Sequence, residues 1–272
     1  WWGEGVSLGA LPPPVRPEPA ALRFRPERDG RVTVQFRVPV RAEGRIGPAP
    51  DWTAVMAEKV RPGDGGGAVR RLGYQDVRLM DRMASTLLRE KMGEFLAALR
   101  RQAIVLDVAP DGAMRSARAE PGGDDADIGR MNAHVGDALA ALAVPLPGRE
   151  VRPGEAWDGE VKLRGGPTAA EVTWTTRYRY AGRRTRNGRD EAVIEFTGRP
   201  ADAAVRGSAL GAVVVDLGTG RAVLGRARFE GGSSAPVQVA LARSDMADGP
   251  APVVDFAALP ADQPIHFTPT VR

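Results

Sequence analysis

Two aspartates, Asp107 and Asp216, occupy equivalent positions in a repeated pattern and could form a catalytic pair. The pattern runs from apolar residues through the aspartate to a turn that contains glycine, and then to a second strand; it occurs at residues 104–118 and 207–230. Apolar runs on both sides of a glycine turn predict β-hairpins. Two carboxylates on facing hairpins could catalyse glycoside hydrolysis. We prefer the alternative that each aspartate caps its turn by accepting hydrogen bonds from backbone amides, because both precede the turn in the same way.

The other residue types that catalysis uses are scarce. Cysteine is absent, which excludes thiol catalysis, disulfides and cysteine zinc sites. The histidines are His134 and His266, and no Gly-x-Ser-x-Gly motif accompanies them, so neither a serine triad nor a transition-metal site is expected. His134 lies off the apolar face of its predicted helix, so we expect it to be exposed. The sequence therefore favours a non-catalytic protein without a cofactor or a metal.

Three aromatic residues at alternating positions are the candidate ligand contacts. Trp174, Tyr178 and Tyr180 follow the period of a β-strand and therefore share one face. Such a row could line a groove for a sugar or a lipid, although alternating aromatic residues on one strand face also form cores. Trp1 and Trp2 are the candidate partner contacts, because they begin a proline-rich arm that could bind a neighbouring chain.

The charge and hydropathy patterns limit the class of partner. The net charge is +4, and the arginines are interleaved with 34 acidic residues. Nucleic-acid binding favours concentrated positive charge, so no nucleic-acid partner is expected. No run of about 18 apolar residues occurs, so no transmembrane segment is expected either. The first residue is a tryptophan rather than a methionine, which is consistent with the removal of a signal peptide.

Hydrophobic periodicity predicts a chain made mostly of strands. Residues 31–40 alternate apolar and polar side chains, and residues 52–60 predict a second strand. Residues 81–101 instead carry apolar side chains at helical spacing, which predicts an amphipathic helix. Residues 121–127 are rich in glycine and aspartate and interrupt the periodicity, and a second amphipathic helix is predicted after them. Its predicted apolar stripe consists of Ile128, Met131, Val135, Leu139 and Leu142.

These elements predict a mainly β (α+β) fold. Two related antiparallel β halves, together about ten strands, are expected, with two amphipathic helices packed on the sheet. The predicted divisions are a proline-rich N-terminal arm at residues 1–20, a first half with both helices at 21–143, a second half at 144–245 and a proline-rich tail at 246–272.

The linker between the predicted halves carries a resemblance to known proteins. Pro145-Leu146-Pro147 is followed by Val151-Arg152-Pro153-Gly154-Glu155-Ala156-Trp157, and repeated strands with an aspartate–glycine hairpin come after it. This arrangement resembles uncharacterised bacterial envelope or secreted proteins with duplicated β-rich halves, which are similar to half-barrel lipoproteins. The resemblance covers residues 31–230. It implies a half-barrel-like fold, in which a curved antiparallel sheet surrounds helices, and a lipid-like ligand, but no catalytic residues. This chain lacks the lipobox cysteine of a lipoprotein.

Together these observations predict a non-catalytic cell-envelope or extracellular protein of a bacterium, located in the periplasm, at the cell surface or outside the cell. It is expected to bind an apolar, lipid-like ligand or to assemble with other chains, as a homo-oligomer or an envelope assembly, through its proline-rich termini. A carbohydrate-active enzyme that uses Asp107 and Asp216 is the alternative.

Overall fold

The structure is a computed structural model, and it describes residues 16–25, 29–37, 41–42, 45–46, 51–79, 86–120, 126–164, 171–186, 188–231 and 237–243. The strands of these residues are β1 (Ala20–Ala21), β2 (Gly30–Arg37), β3 (Arg41–Ala42), β4 (Arg45–Ile46), β5 (Asp51–Pro62), β6 (Ala68–Leu79), β7 (Ala103–Val108), β8 (Met114–Ala119), β9 (Glu150–Val151), β10 (Ala156–Leu163), β11 (Val172–Arg186), β12 (Arg189–Pro200), β13 (Gly207–Asp216), β14 (Ala222–Gly231) and β15 (Val237–Arg243). The helices are α1 (Thr86–Leu99) and α2 (Ala126–Ala141).

One large antiparallel sheet dominates the fold. Its eleven strands have the order β10-β11-β12-β13-β14-β15-β2-β5-β6-β7-β8, and every pair of neighbours is antiparallel. Most neighbours in the sheet also follow each other along the chain. The exceptions are the pairing of β2 with β5, which passes over the small β3–β4 hairpin, and the pairing of β15 with β2, which brings the last described strand beside an early one. The predicted mainly β fold with two helices is confirmed.

The sheet curls around helix α2 into a nearly closed barrel. The helix contacts β8 and β10, which are the two edge strands, and it also contacts β2 and β15 in the middle of the sheet. A helix that contacts both the middle and the edges of one sheet must lie on its concave side. The two edge strands consequently face each other across a gap, which we call the seam, and α2 lies beneath it.

The inner face of the sheet and the apolar stripe of α2 form the main core. On β2, Val32 and Phe36 are buried, as their alternation predicts, and the five residues of the predicted helical stripe are buried as well. Helix α1 contributes Leu99, which is fully buried, and Phe95, whose ring packs edge-on against Trp52 of β5 with 6.3 Å between centroids. Both helices therefore pack their apolar residues on the sheet.

The two predicted hairpins form as β7–β8 and β13–β14. Strands from both sides of the predicted boundary at residue 144 join the same sheet, because β15 pairs with β2. The division into domains and the duplication stay predictions. The proline-rich tail at 246–272 lies outside the described residues, as does most of the arm at 1–20.

The predicted exposure of His134 is wrong. This residue of α2 is half-buried. Burial, together with the positive charge of Arg130, lowers the pKa of His134 to about 4, so its imidazole is neutral at physiological pH. The prediction assumed that a helix buries only its apolar stripe. Helix α2 instead lies inside the curled sheet and packs on several sides.

Gly211 of β13 is expected to tolerate no side chain. A Cβ at this position would overlap the ring of Phe196 and the carbonyl oxygen of Arg226. We expect Gly211→Ala to lower the free energy of unfolding by about 1–3 kcal/mol, the usual cost of overpacking, as measured by urea denaturation. The control is Gly93→Ala, at an open position of α1, which should raise that free energy by up to about 1 kcal/mol. Two variants of equal stability would contradict this account of the core.

Candidate ligand-binding groove

The predicted ligand contacts Trp174, Tyr178 and Tyr180 lie inside the protein. They share the inner face of β11, and their exposed fractions are 2%, 1% and 0%. Trp174 packs edge-on against Phe229 with 5.2 Å between centroids. The Tyr180 hydroxyl donates a hydrogen bond of 2.9 Å to the carbonyl oxygen of Glu18. The core interpretation accounts for these rings, and their assignment as ligand contacts stays a prediction with no open face to support it.

The predicted partner contacts Trp1 and Trp2 lie outside the described residues. Their role as an anchor for a neighbouring chain therefore stays a prediction.

Asp107 and Asp216 lie on β7 and β13, which are six positions apart in the strand order of the sheet. The turns that follow them both approach Phe24, because an added Cβ would lie 3.3 Å from this residue at Gly112 and 2.7 Å from it at Gly220. The two carboxylates nevertheless have different partners among the described residues, and they share none.

The two aspartates also differ in their local contacts. Asp216 is buried, and its Oδ1 accepts hydrogen bonds of 2.8 Å from the backbone N–H and from the hydroxyl of Thr219, so it caps its turn as predicted. The predicted cap at Asp107 is wrong, because its side chain is 44% exposed and lies 3.9 Å from Arg115 Nη1. Asp111 accepts the turn amide of that hairpin instead.

A buried cluster of charges lies inside the sheet around Glu58 of β5, whose side chain is fully buried. Its carboxylate accepts hydrogen bonds from three arginines: Arg70 of β6, Arg221 of the β13–β14 turn and Arg243 of β15. Burial alone raises the pKa of Glu58, but the positive charges of the three arginines outweigh it and hold the pKa far below its usual range. The carboxylate is therefore ionised and enclosed, which suits a structural role rather than proton transfer.

A groove of about 660 Å³ lies at the seam, and we call it the seam groove. Residues 114–119 of β8 form one wall. Lys162 of β10, with Arg164 and Glu171 beyond its end, lies on the other side, and α2 forms the floor. The volume falls within the range of ligand pockets, about 300–1,000 Å³.

Small residues form the floor of the seam groove. They recur at helical spacing along one face of α2: Ala126, Gly129, Ala133, Gly136 and Ala140. An added Cβ at Gly136 would lie 3.0 Å from Ala117 Cβ of β8, so this glycine lets the helix approach the edge strand. An added Cβ at Gly129 would meet nothing within 4 Å, so the groove is open there.

Asn132 provides a buried polar group at the base of the groove. Its exposed fraction is 4%. The Tyr74 hydroxyl donates a hydrogen bond of 2.8 Å to Asn132 Oδ1, and burial raises the pKa of Tyr74, so this hydroxyl stays protonated. Asn132 Nδ2 has no hydrogen-bond partner in the described part of the chain. Because an unpaired buried amide costs about 1–3 kcal/mol, this N–H is suited to an acceptor atom of a ligand.

Positive charge predominates around the seam groove. Among the described residues, the lining holds five basic side chains, Arg115, Arg118, Arg130, Lys162 and Arg164, and two acidic ones, Asp137 and Glu171. Both acidic groups have a partner at Arg164: Asp137 Oδ1 accepts its backbone N–H at 3.1 Å, and Glu171 Oε2 lies 3.7 Å from its Nε. The groove therefore favours a ligand with negatively charged groups.

The sequence prediction missed the seam groove. Its walls come from β8 and β10, which are separated in the chain by the whole of α2. The available signal was the repeat of glycine and alanine every three or four residues along that helix. Asn132 gave no signal of its own, because a lone polar residue in a helix is ordinarily exposed.

The described residues show neither a metal site nor a membrane-spanning helix. They contain no group of three or more histidine, aspartate and glutamate side chains arranged to bind a metal ion. Among the same residues, no helix has the length and apolar character needed to cross a membrane.

Comparisons with known proteins add little to this geometry. No family model matches the sequence, and no curated protein matches it. A solved structure, that of the hypothetical lipoprotein YmcC from Escherichia coli, aligns over 82% of this chain and 88% of its own, with 12% sequence identity and a TM-score of 0.30. A likeness of this size carries no argument, so the function of the groove has to be inferred from its own residues.

The difference between the two aspartates predicts unequal effects of their removal. We expect Asp216→Ala to lower the free energy of unfolding by about 1–2 kcal/mol, because it removes both bonds to Thr219. Asp107→Ala should change it by less than about 0.5 kcal/mol, since its side chain is exposed. Urea denaturation of both variants measures the difference. Equal losses would mean that the two hairpins are capped in the same way after all.

The Glu58 cluster predicts a strong effect of a neutral substitution. Glu58→Gln should lower the free energy of unfolding at pH 7 by about 3–5 kcal/mol, because it leaves buried arginines without their counter-ion. The control is Glu120→Gln, which breaks the exposed 2.7 Å ion pair with Arg71 and should cost at most about 1 kcal/mol.

The same cluster predicts the direction of the pH dependence. A carboxylate whose pKa is depressed by folding stabilises the protein above its ordinary pKa of 4.5 and loses that contribution as the pH falls below it. Unfolding measured between neutral and acidic pH should therefore show a steeper loss of stability for the unaltered protein than for Glu58→Gln. Identical slopes would show that Glu58 gains nothing from its arginines on folding.

Proposed function

We propose that this protein is a non-catalytic binding protein that holds its ligand in the seam groove and works outside the cytoplasm as a cell-envelope or extracellular protein. The observation that carries the proposal is the buried amide nitrogen of Asn132, at the base of the groove, which has no hydrogen-bond partner among the described residues. Most buried polar groups in proteins have a partner, so an exception that lines a groove is suited to a ligand atom.

The lining of the groove supports a particular class of ligand. The floor of alanine and glycine residues is apolar and shallow, so it accommodates an elongated, apolar part of a ligand. The five basic side chains of the lining favour negative groups on the same ligand. An apolar ligand with acidic groups fits both features, and it refines the apolar ligand expected from the sequence.

A non-catalytic role agrees with the placement of the acidic residues. Asp216 caps its turn, Asp107 lies beside Arg115, and both acidic groups of the groove contact Arg164. Each of these carboxylates therefore has a partner among the described residues, which suits a structural role.

The proposal predicts that filling the groove abolishes binding without harming the fold. Gly129→Leu places a side chain into open space in the groove and also improves helix propensity, so the variant should be at least as stable as the unaltered protein. The probe is anilinonaphthalene sulfonate, an apolar dye with one negative charge, whose fluorescence rises on binding. We expect Gly129→Leu to weaken dye binding at least about tenfold.

The matched control is Gly93→Leu, which makes the same change at an open position of the other helix. It should leave dye binding unchanged. Unchanged binding in Gly129→Leu, or an equal loss in both variants, would rule out the seam groove as the binding site. Native mass spectrometry of gently purified protein would then show directly whether any ligand accompanies the chain.

A further inference from the structure

We infer that the ligand of the seam groove is an extended, acidic segment of a partner polypeptide, which pairs with the edge strands as a twelfth antiparallel strand. The inference rests on the proposed binding function and names the class of ligand. It follows from the edge of β8 that faces the seam, from the relative direction of β8 and β10, and from the basic residues that line the groove, which we call its rim.

Among the described residues, no backbone group pairs with the edge of β8 that faces the seam. Glu120 donates its backbone N–H to the carbonyl oxygen of Ala103 at 2.8 Å, so these two residues form a hydrogen-bonded pair at the end of the β7–β8 ladder. Bonded and free positions alternate along an antiparallel pair. The N–H and C=O groups of Ala117 and Ala119 therefore face away from β7 and toward the seam, where they can template a further strand.

The two edge strands run in the same direction. They occupy the first and last positions of an eleven-stranded sheet in which all neighbours are antiparallel, and odd positions of such a sheet share a direction. Direct pairing of β8 with β10 would therefore be parallel, unlike every other pair of the sheet. A single added strand can be antiparallel to both edges at once, and the barrel then closes with twelve strands.

A polypeptide satisfies polar groups that an acyl chain leaves unpaired. The backbone of an added strand offers donors and acceptors to Ala117 and Ala119, and one of its carbonyl groups can accept the N–H of Asn132. A lipid tail has neither donors nor acceptors, so it would bury these groups without partners, which is unfavourable. The alanine and glycine floor also allows a backbone to approach α2 closely.

The rim selects the side chains of the added strand. Alternate residues of a strand point to opposite faces, so one set would face the small residues of α2 and the other would face outward. The outward set would lie beside exposed basic residues of β8, including Arg115 and Arg118. Opposite charges on neighbouring strands stabilise a sheet, so apolar residues alternating with acidic ones fit the groove.

The test uses a fluorescein-labelled peptide of alternating valine and aspartate, six residues long like β8. Fluorescence anisotropy with the full chain measures its binding. We expect saturable binding that weakens at least about tenfold when alternate amides of the peptide are N-methylated, and also when lysine replaces aspartate. Equal binding of the lysine peptide would overturn the acidic assignment, and equal binding of the methylated peptide would overturn strand addition.

A pair of variants at one position of the protein isolates the edge hydrogen bonds. Ala119→Pro removes an N–H that faces the seam and leaves the bonds of β8 with β7 in place, since proline is tolerated at the free side of an edge strand. Ala119→Val keeps that N–H. We expect the proline variant to bind the peptide at least about tenfold more weakly and the valine variant to bind it normally, with both folded by circular dichroism. Equal binding by the two variants would overturn the inference.

The dye and the peptide separate this inference from the proposed function. Binding of anilinonaphthalene sulfonate without binding of the peptide, with Gly129→Leu abolishing the former, would overturn the twelfth strand and leave the groove as a site for small apolar anions. Failure of both probes would overturn the groove itself. A dimer of the chain that Gly129→Leu disrupts would assign the seam to a second copy and overturn the partner assignment.

Discussion

The ion cluster around Glu58 is the interaction on which the strand order of the sheet depends. Arg221 and Arg243 lie 163 and 185 residues from Glu58 in the chain, so the cluster forms only when β13, β14 and β15 are in place beside the early strands. Buried charges are costly when they lose their partners, even where the paired cluster adds little net stability. Any arrangement that separates β15 from β2 would leave Arg221 and Arg243 buried without their carboxylate, and Glu58 with Arg70 alone. The cluster therefore penalises alternative strand orders more than it stabilises this one.

That strand order creates a second constraint, because it leaves β8 and β10 as edge strands. Exposed edges promote association with other chains unless something covers them. An odd number of antiparallel strands cannot close on itself without one parallel pair, and here α2 lies beneath the seam instead. The helix serves two surfaces at once, because its apolar stripe fills the core while its small residues face the seam. A large residue at Gly136 would push the helix away from Ala117, so the packing of the floor and the shape of the groove have the same origin.

Features that depend on near neighbours in the chain could be predicted from the sequence. The alternation around Val32 and Phe36, both glycine hairpins and the helical stripe of α2 were predicted on this basis and confirmed. Asp107 and Asp216 mark the limit of local reasoning, since the same pattern caps a turn in one hairpin and leaves an exposed side chain in the other. The alternation of residues along a strand also does not show which of its two faces is enclosed.

The groove and the Glu58 cluster depend on strands that lie far apart in the chain, and no pattern among neighbouring residues indicates them.

Glu58 and Asn132 are both buried and polar, but they differ in how many hydrogen-bond partners they have. This difference distinguishes a group that supports the fold from one that is suited to binding. Glu58 is enclosed by donors from three parts of the chain, so nothing further can bind to it. Asn132 accepts one hydrogen bond from Tyr74, and its amide nitrogen has no partner in the part of the chain that the structure describes. Other buried atoms without partners occur in the described residues, among them the hydroxyls of Thr53 and Thr176, but those residues do not line the groove. Since an unpaired amide destabilises the free protein, an acceptor that reached this nitrogen from the groove would stabilise the complex.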